Sequence, residues 1–191
     1  DGTKWTNRGE YSRGISQLGI LKDGTIWALM YPAMGPGTYL TLYDGTSWSE
    51  INTSVITKSY SSYGVTLMNT GPDDTFWGVC QGAIYHYEGS SWKRYGAEDG
   101  LAGTVNASLQ FAPDGTPWVA ASEGICRMRN GTWEVVAGLR SPNSDTITCL
   151  ETDPRGVIWA GTDKGLSSYD GKEWTNRSFP GSVATLRSDR E

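Results

Sequence analysis

Tryptophan recurs through this chain at regular intervals, and this regularity limits what the chain can fold into. Trp48, Trp92, Trp133 and Trp174 lie 44, 41 and 41 residues apart. In a second row of indoles, an apolar residue stands nine positions before each one: Leu18–Trp27, Met68–Trp77, Leu109–Trp118 and Leu150–Trp159. Self-similarity at a fixed period of about 40 residues is the signature of a protein built from stacked repeats. The sequence therefore predicts four copies of one supersecondary unit.

Each unit is predicted to form four short strands, named a to d in chain order. In the last unit they are expected at 146–152, 157–161, 166–169 and 173–177. Asp-Gly or Asn-Gly precedes three of the four later tryptophans, which favours two-residue hairpins between strands c and d. Strand b is apolar on both faces, as in TIWALM and VIWAGT, which indicates that it is covered on both sides.

A four-stranded antiparallel sheet packed between like neighbours at this period is typical of a β-propeller blade. The predicted fold class is therefore all-β, a propeller or propeller fragment with four complete blades and partial-blade strands at both termini. The boundaries are expected at about 14–52, 63–96, 104–137 and 145–178 for the blades, 1–8 for a lone outer strand and 181–189 for a lone inner strand. The indoles are expected to fill the space between blades, because packing explains a periodic spacing and a single ligand site does not.

Exposed blade edges are prone to pair with other strands. We therefore expect the ring to be completed by pairing of the termini, by further blades or by homo-oligomerisation. The chain starts at Asp1 without a methionine or a signal peptide, and is expected to be processed or to be a piece of something longer.

Composition narrows the classes of function. The net charge is −5, and no run of basic residues offers a surface for nucleic acid. No apolar run approaches the eighteen or so residues that a membrane span requires. The three cysteines, Cys80, Cys126 and Cys149, are expected to be buried free thiols, with one disulfide as the alternative.

Two units carry a recognisable pattern. The stretch DPRGVIWAGTDKGLSSYDGKEW (153–174) resembles the two-component regulator propeller repeat, and APDGTPWVAASEGICRMRNGTW (112–133) follows the same pattern. The first two units are looser: the first carries the insertion YPAMGPG, and DDTFWGVC in the second lacks the turn glycine. The resemblance implies a larger bacterial propeller, in the extracytoplasmic part of sensor kinases, that recognises ligands such as carbohydrate fragments.

By analogy with propellers, a ligand would meet the face formed by the b–c and d–a loops. The candidate ligand-binding residues in these loops are Tyr31, Met34, Tyr60, Gln81, Glu123, Arg140 and Lys164. The insertion at 31–37 is either a tolerated surface loop or a ligand lid, and loop 52–63 is either a flap over its blade or part of the site. The expected ligand is an oligosaccharide or a protein.

An enzyme is the alternative class. The only histidine, His86, lies within strand c and is expected to be a packed, hydrogen-bonded imidazole. Glu98, Asp99, Glu123 and Asp163 could supply the carboxylate pair of a glycoside hydrolase or lyase. No cofactor or metal is expected, since the aspartates of the a–b turns are explained by turn chemistry. The leading hypothesis is a non-catalytic extracytoplasmic recognition module, and a structural, oligomer-forming propeller piece is the third reading.

Overall fold

The computed structural model describes residues 13–32, 37–53, 56, 64–138, 144, 146–178 and 181–188. The strands in these residues form four antiparallel four-stranded sheets, each from consecutive strands of the chain. The first sheet contains β1 (Arg13–Ile20), β2 (Ile26–Pro32), β3 (Tyr39–Tyr43) and β4 (Trp48–Ile51), and the second contains β5 (Leu67–Thr70), β6 (Phe76–Cys80), β7 (Ala83–Tyr87) and β8 (Trp92–Tyr95). The third contains β9 (Val105–Phe111), β10 (Pro117–Ala121), β11 (Gly124–Arg129) and β12 (Thr132–Gly138), and the fourth contains β13 (Ile147–Thr152), β14 (Ile158–Thr162), β15 (Gly165–Tyr169) and β16 (Trp174–Ser178).

The predicted all-β architecture of four such sheets is confirmed. A 3₁₀ turn at Ala97–Asp99 is the helical element of the described residues, and no helix among them is long and apolar enough to cross a bilayer. In the fourth sheet every strand boundary lies within one residue of its predicted position. The chain divides into two compact units, 1–65 with the first sheet and 66–191 with the other three.

Within residues 66–191, apolar clusters join neighbouring sheets. One cluster joins the second sheet to the third and contains Trp77, and another joins the third to the fourth and contains Trp118. These indoles are only 6% and 5% exposed. Each contacts an aromatic ring of the following sheet: Trp77 stands edge-on to Phe111 at 5.9 Å between ring centroids, and Trp118 lies 6.0 Å from Tyr169. Trp77 and Trp118 therefore pack between sheets, as their periodicity predicts.

The d-strand indoles behave differently. Trp133 is buried in the cluster between the second and third sheets. Trp48 and Trp92 are half-buried and lie against a tyrosine of their own sheet, with ring centroids 4.9 Å and 5.0 Å apart. For these two indoles the contact that the structure describes lies within their own sheet, because the outermost strand places each beside its cross-strand partner.

The c–d turns also depart from prediction. A two-residue loop of type I′ forms at Asn130-Gly131, where both residues have positive φ, of 52° and 80°. In the first and fourth sheets the cross-strand pairs are Tyr43–Trp48 and Tyr169–Trp174, so four residues form each loop. The first loop residue is an aspartate whose Oδ1 accepts hydrogen bonds from two backbone N–H groups, and this carboxylate stabilises the longer loop. The predicted two-residue hairpins are therefore wrong there.

The a–b turn of the second sheet forms without the glycine that the other three sheets have at this position. Gly24, Gly115 and Gly156 have φ between 85° and 88°. Asp74 takes the equivalent position in the second sheet with φ of 62°. Aspartate is among the residues that tolerate this left-handed conformation best, so the substitution keeps the turn.

The first strands of neighbouring sheets are joined by polar side chains. Asn69 Nδ2 donates to the Leu109 carbonyl at 3.0 Å, and Ser108 Oγ accepts from the Leu150 N–H at 3.1 Å. Segment 181–188 continues this pattern: Thr148 Oγ1 donates to the Val183 carbonyl. This segment was predicted to be an inner strand, but no strand is assigned to it, because no described strand forms a ladder with it. The predicted outer strand at 1–8 lies outside the described residues.

All three cysteines are free thiols, as predicted. Cys80 and Cys126 are buried, and burial raises the pKa of both, which keeps them protonated. Cys149 is only partly buried, so the expectation of burial is wrong for this residue.

Candidate functional site

The turns between strands b and c meet the segments that enter strand a at one end of the sheets, here called the b–c rim. In the third sheet, Ser122 N–H donates to the Thr104 carbonyl and Glu123 N–H to the Ala102 carbonyl, at 2.8 Å and 2.9 Å. In the fourth sheet, Asp163 N–H donates to the Thr146 carbonyl at 3.3 Å. These main-chain hydrogen bonds hold the b–c turns against the segments that enter strand a, so the rim has a defined structure.

Gln81 occupies the most unusual backbone position of this rim. With Gly82 it forms the two-residue turn between β6 and β7, and their φ values are 51° and 74°. Such a turn favours asparagine, aspartate or glycine at its first position, and glutamine there is strained. The Gly82 carbonyl accepts from Val105 N–H at 2.8 Å, which fixes this turn against the third sheet.

Within residues 66–191, three predicted site residues lie on b–c turns with exposed side chains: Gln81, Glu123 and Lys164. The turn at Glu123 is tightly fitted, because a Cβ on Gly103 would lie 2.2 Å from Ser122 Oγ. Lys164 N–H donates to Thr162 Oγ1 at 3.1 Å. In the first unit, Tyr31 belongs to strand β2 and not to the loop as predicted, because it pairs with Gly14 and its ring covers that glycine. Met34, Tyr60 and Arg140 lie outside the described residues.

Three of the four carboxylates considered for glycoside hydrolysis are engaged in local contacts. Glu98 pairs with Arg94, Asp99 Oδ2 accepts from Gly96 N–H at 2.9 Å, and Asp163 accepts from the Ser144 hydroxyl. Hydrogen bonding to its own backbone N–H, together with Arg94, lowers the pKa of Glu98. A general acid requires the opposite shift.

His86 is packed within its sheet. Its ring stacks on Trp77 at 4.0 Å between centroids, and burial lowers the imidazole pKa. Nε2 is buried and has no hydrogen-bond partner among the described residues, so the predicted hydrogen bond is not formed at this nitrogen. The stacking of His86 on Trp77 is therefore a packing contact between strands b and c. No group of three or more potential metal ligands occurs in the described part of the chain.

Sizeable grooves lie at the other end of the sheets, beside the a–b turns. The groove between the third and fourth sheets has a volume of about 520 Å³. Its lining includes Pro113, Asp114, Trp118, Arg127, Arg129, Pro154, Arg155 and Tyr169. We call it the arginine groove. Of the predicted site residues, Gln81, Glu123 and Lys164 lie on turns of the opposite rim, and none of these three lines the groove.

Comparison with known proteins finds a matching family model for this chain. The family model of the two component regulator propeller matches residues 141–164, which include β14. A search of curated protein sequences finds no match.

Several solved structures share the fold. The extracellular domain assigned to a hybrid two component system of B. thetaiotaomicron has a TM-score of 0.65 at 18% identity, over 89% of this chain and 24% of that one. A second extracellular domain from that organism, assigned to a one component system, gives 0.59 at 18% identity over 81% and 21%. A gluconolactonase of Xanthomonas campestris gives 0.54 at 14% identity over 88% and 63%.

This chain therefore spans about a quarter of the length of the first of these structures, and at such identities the likeness is one of fold. The family match overlaps the first of the two stretches that suggested it, at residues 153–164, and the four sheets are propeller blades. Residues 141–164 are therefore similar to the two component regulator propeller repeat, and the chain as a whole shares the propeller fold.

Proposed function

We propose that this chain is a non-catalytic, extracytoplasmic recognition module of a bacterial sensor, and that its b–c rim binds the ligand. The observation that carries the proposal is Gln81, a residue held in a left-handed turn that glycine or asparagine would form with less strain. Strained non-glycine residues concentrate at functional sites, because a scaffold tolerates them where a particular side chain is needed. The likeness to extracellular domains of two component systems supports the sensory role.

The chemistry of the rim favours an oligosaccharide. Gln81, Glu123 and Lys164 offer an amide, a carboxylate and an ammonium group, all exposed and all on short turns. Such groups donate to and accept from sugar hydroxyls, and short turns hold them at low cost in conformational entropy. Tyr31, Met34, Tyr60 and Arg140 stay predicted ligand contacts from the sequence, and the proposal for the rim does not depend on them.

A glycan-binding screen with a thermal-shift readout tests this function. We expect saturable stabilisation by at least one oligosaccharide, and expect the Glu123→Ala and Gln81→Asn variants to lose it. Glu173→Ala is the matched control, because Glu173 is an exposed residue of a c–d turn at the other end of its sheet. If a ligand stabilises all three variants equally, the rim is not the site. Turnover of the bound sugar would show an enzyme instead.

A second proposal, assembly, rests on an exposed apolar surface in the first unit. Leu18 is 63% exposed, whereas its repeat equivalents Met68, Leu109 and Leu150 are 3%, 1% and 2% exposed. Ile15 and Ile20 of the same strand are also more than half exposed. In the second unit the equivalent faces of the third and fourth sheets are covered by the preceding sheet. We propose that a second copy of the chain covers this surface with its fourth sheet, where Trp159 and Leu166 remain only half-buried.

Light scattering coupled to size exclusion measures the mass against the 20.8 kDa of one chain. We expect multiples of this mass for the native protein and a single chain for Leu18→Glu. Ser49→Glu, at an exposed position of β4, adds the same charge and should leave the mass unchanged. A native protein that runs as one chain at all concentrations would refute assembly and leave the recognition proposal untouched.

A further inference from the structure

We propose that the arginine groove between the third and fourth sheets is a second binding site and that its ligand carries a carboxylate group. The groove lies at the a–b end of the sheets, whereas the b–c rim lies at the opposite end of the same strands. The proposal is therefore independent of the function proposed for the rim.

The arginines stand where the repeat otherwise places acids. At the third position of the a–b turn, the first three units have Asp23, Asp73 and Asp114, and the fourth has Arg155. At the residue after the cross-strand partner of the d-strand tryptophan, the other units have Asp44, Glu88 and Asp170, and the third has Arg129. Two reversals of charge, from different units, thus meet in one groove.

A third departure from the repeat completes the group. The residue opposite the b-strand tryptophan is Leu42, His86 or Ser168 in the other sheets, and it is Arg127 in the third. The scaffold therefore forms this position without an arginine. At each of the three positions the other units form the same backbone without an arginine, so the repeat itself does not explain why three arginines line one groove.

Two contacts orient the side chain of Arg127, and neither of them uses its two terminal nitrogens. Its Nε donates to Glu134 at 2.5 Å, and its guanidinium carbon lies 5.7 Å from the centre of the Trp118 ring. Within the described chain, neither terminal nitrogen has a hydrogen-bond acceptor. Packing on an indole and one ion pair orient a guanidinium, and a planar fork of free N–H groups matches a carboxylate.

The other groups give the groove an excess of donors. Arg155 uses Nε and one terminal nitrogen to bind Asp153, and Arg129 forms no ion pair with any described residue. Asp114 is the carboxylate in the lining, and its Oδ1 already accepts from Thr116 N–H at 2.9 Å. A ligand that supplies acceptor oxygens and negative charge therefore fits this lining better than one that supplies donors.

A sister groove shows that the same turns can form a groove without any arginine. The groove between the second and third sheets is built from the same turns, measures about 390 Å³ and is lined by Pro72, Asp73, Trp77, Phe111, Asp114, Gly115, Pro117 and Met128. It contains no arginine and is mostly apolar. The arginine groove, at about 520 Å³, is within the size range of small-molecule sites and would hold one sugar acid or one small polycarboxylate.

Isothermal titration at low salt tests the proposal with galacturonate, its neutral counterpart galactose, and citrate. We expect at least one of the two acids to bind and galactose to bind much more weakly. Galacturonate alone would identify a sugar acid, and citrate alone a small polycarboxylate. The variants Arg155→Asp and Arg129→Asp restore the acid used elsewhere in the repeat, so they should fold, and each should weaken binding about tenfold or more.

Arg177→Asp is the control for net charge, since Arg177 is exposed on the outer strand β16. It should retain affinity, and thermal unfolding of each variant confirms that the fold is intact. Absence of binding by both acids, equal binding of galactose and galacturonate, or an equal loss in Arg177→Asp would overturn the proposal. None of these outcomes bears on ligands of the b–c rim.

Discussion

Replacing Gln81 by asparagine should stabilise the protein. Gln81 and Gly82 form a two-residue turn in which both φ values are positive, 51° and 74°. The left-handed conformation costs roughly 1–2 kcal/mol for an ordinary residue and less for asparagine, whose short amide bonds to the local backbone. The exchange should therefore raise the free energy of unfolding by about 0.5–1 kcal/mol. For a domain of this size, that corresponds to an increase in Tm of about 1–4 °C.

A second turn of the chain allows the reverse substitution to serve as a control. Asn130 occupies the same turn position in the c–d hairpin of the third sheet, with φ of 52°. Asn130→Gln should lower the free energy of unfolding by about as much as Gln81→Asn raises it. Urea unfolding followed by circular dichroism, with calorimetry for Tm, measures both. If Asn130→Gln is destabilising as expected but Gln81→Asn is neutral or destabilising, then the argument that Gln81 is strained is refuted.

Three further predictions concern packing, backbone and pH. Trp118→Ala should cost about 3–5 kcal/mol of unfolding free energy in urea, and Trp92→Ala, which removes a half-buried ring, clearly less; equal losses would contradict the packing assigned to them. Gly100→Ala should destabilise more than Gly171→Ala, because both have positive φ but only at Gly100 would the Cβ meet a backbone carbonyl oxygen, at 2.1 Å; the same urea series measures this, and equal effects would refute the clash. Asp170→Ala should lower the urea midpoint near neutral pH, and the difference from the native protein should shrink below about pH 4.

The sign of the last effect follows from the c–d loop of the fourth sheet. The backbone N–H groups of Glu173 and then Lys172 lower the pKa of Asp170 in the folded protein. A depressed pKa stabilises the fold above the unfolded pKa of about 4, and this contribution is lost as pH falls through the folded value. A difference between native and variant protein that stays constant down to pH 2 would contradict the assignment.

The repeat could be predicted from the sequence because packing imposes it at every unit. Trp77 and Trp118 occupy the same place in successive sheets, so each must repeat at the spacing of the sheets. The turns were harder to predict, since Asp-Gly is compatible with two loop lengths. The carboxylate of Asp44 or Asp170 can accept two backbone N–H groups and so stabilise a four-residue loop, and sequence alone does not show which loop forms.

The candidate sites show a similar division. The positions of Gln81, Glu123 and Lys164 on the b–c turns follow from the strand order, which the repeat determines. The strain at Gln81 depends on a backbone angle that the sequence does not reveal. The arginine groove was missed although its signal was present: Arg129 and Arg155 stand where the other units have acids. Their meeting in one groove depends on the packing of two sheets, which only the structure shows.

The stacking of the second, third and fourth sheets depends most on the burial of Trp77 and Trp118 between them. Fluorine NMR of protein labelled with 5-fluorotryptophan, assigned by single Trp→Phe variants, reports this burial through the shift on exchanging H₂O for D₂O. Trp77 and Trp118 should show almost no solvent shift, while Trp92 should show a clear one. A full solvent shift at Trp77 and Trp118 would mean that these rings face water, and the stacking of sheets through their indoles would be contradicted.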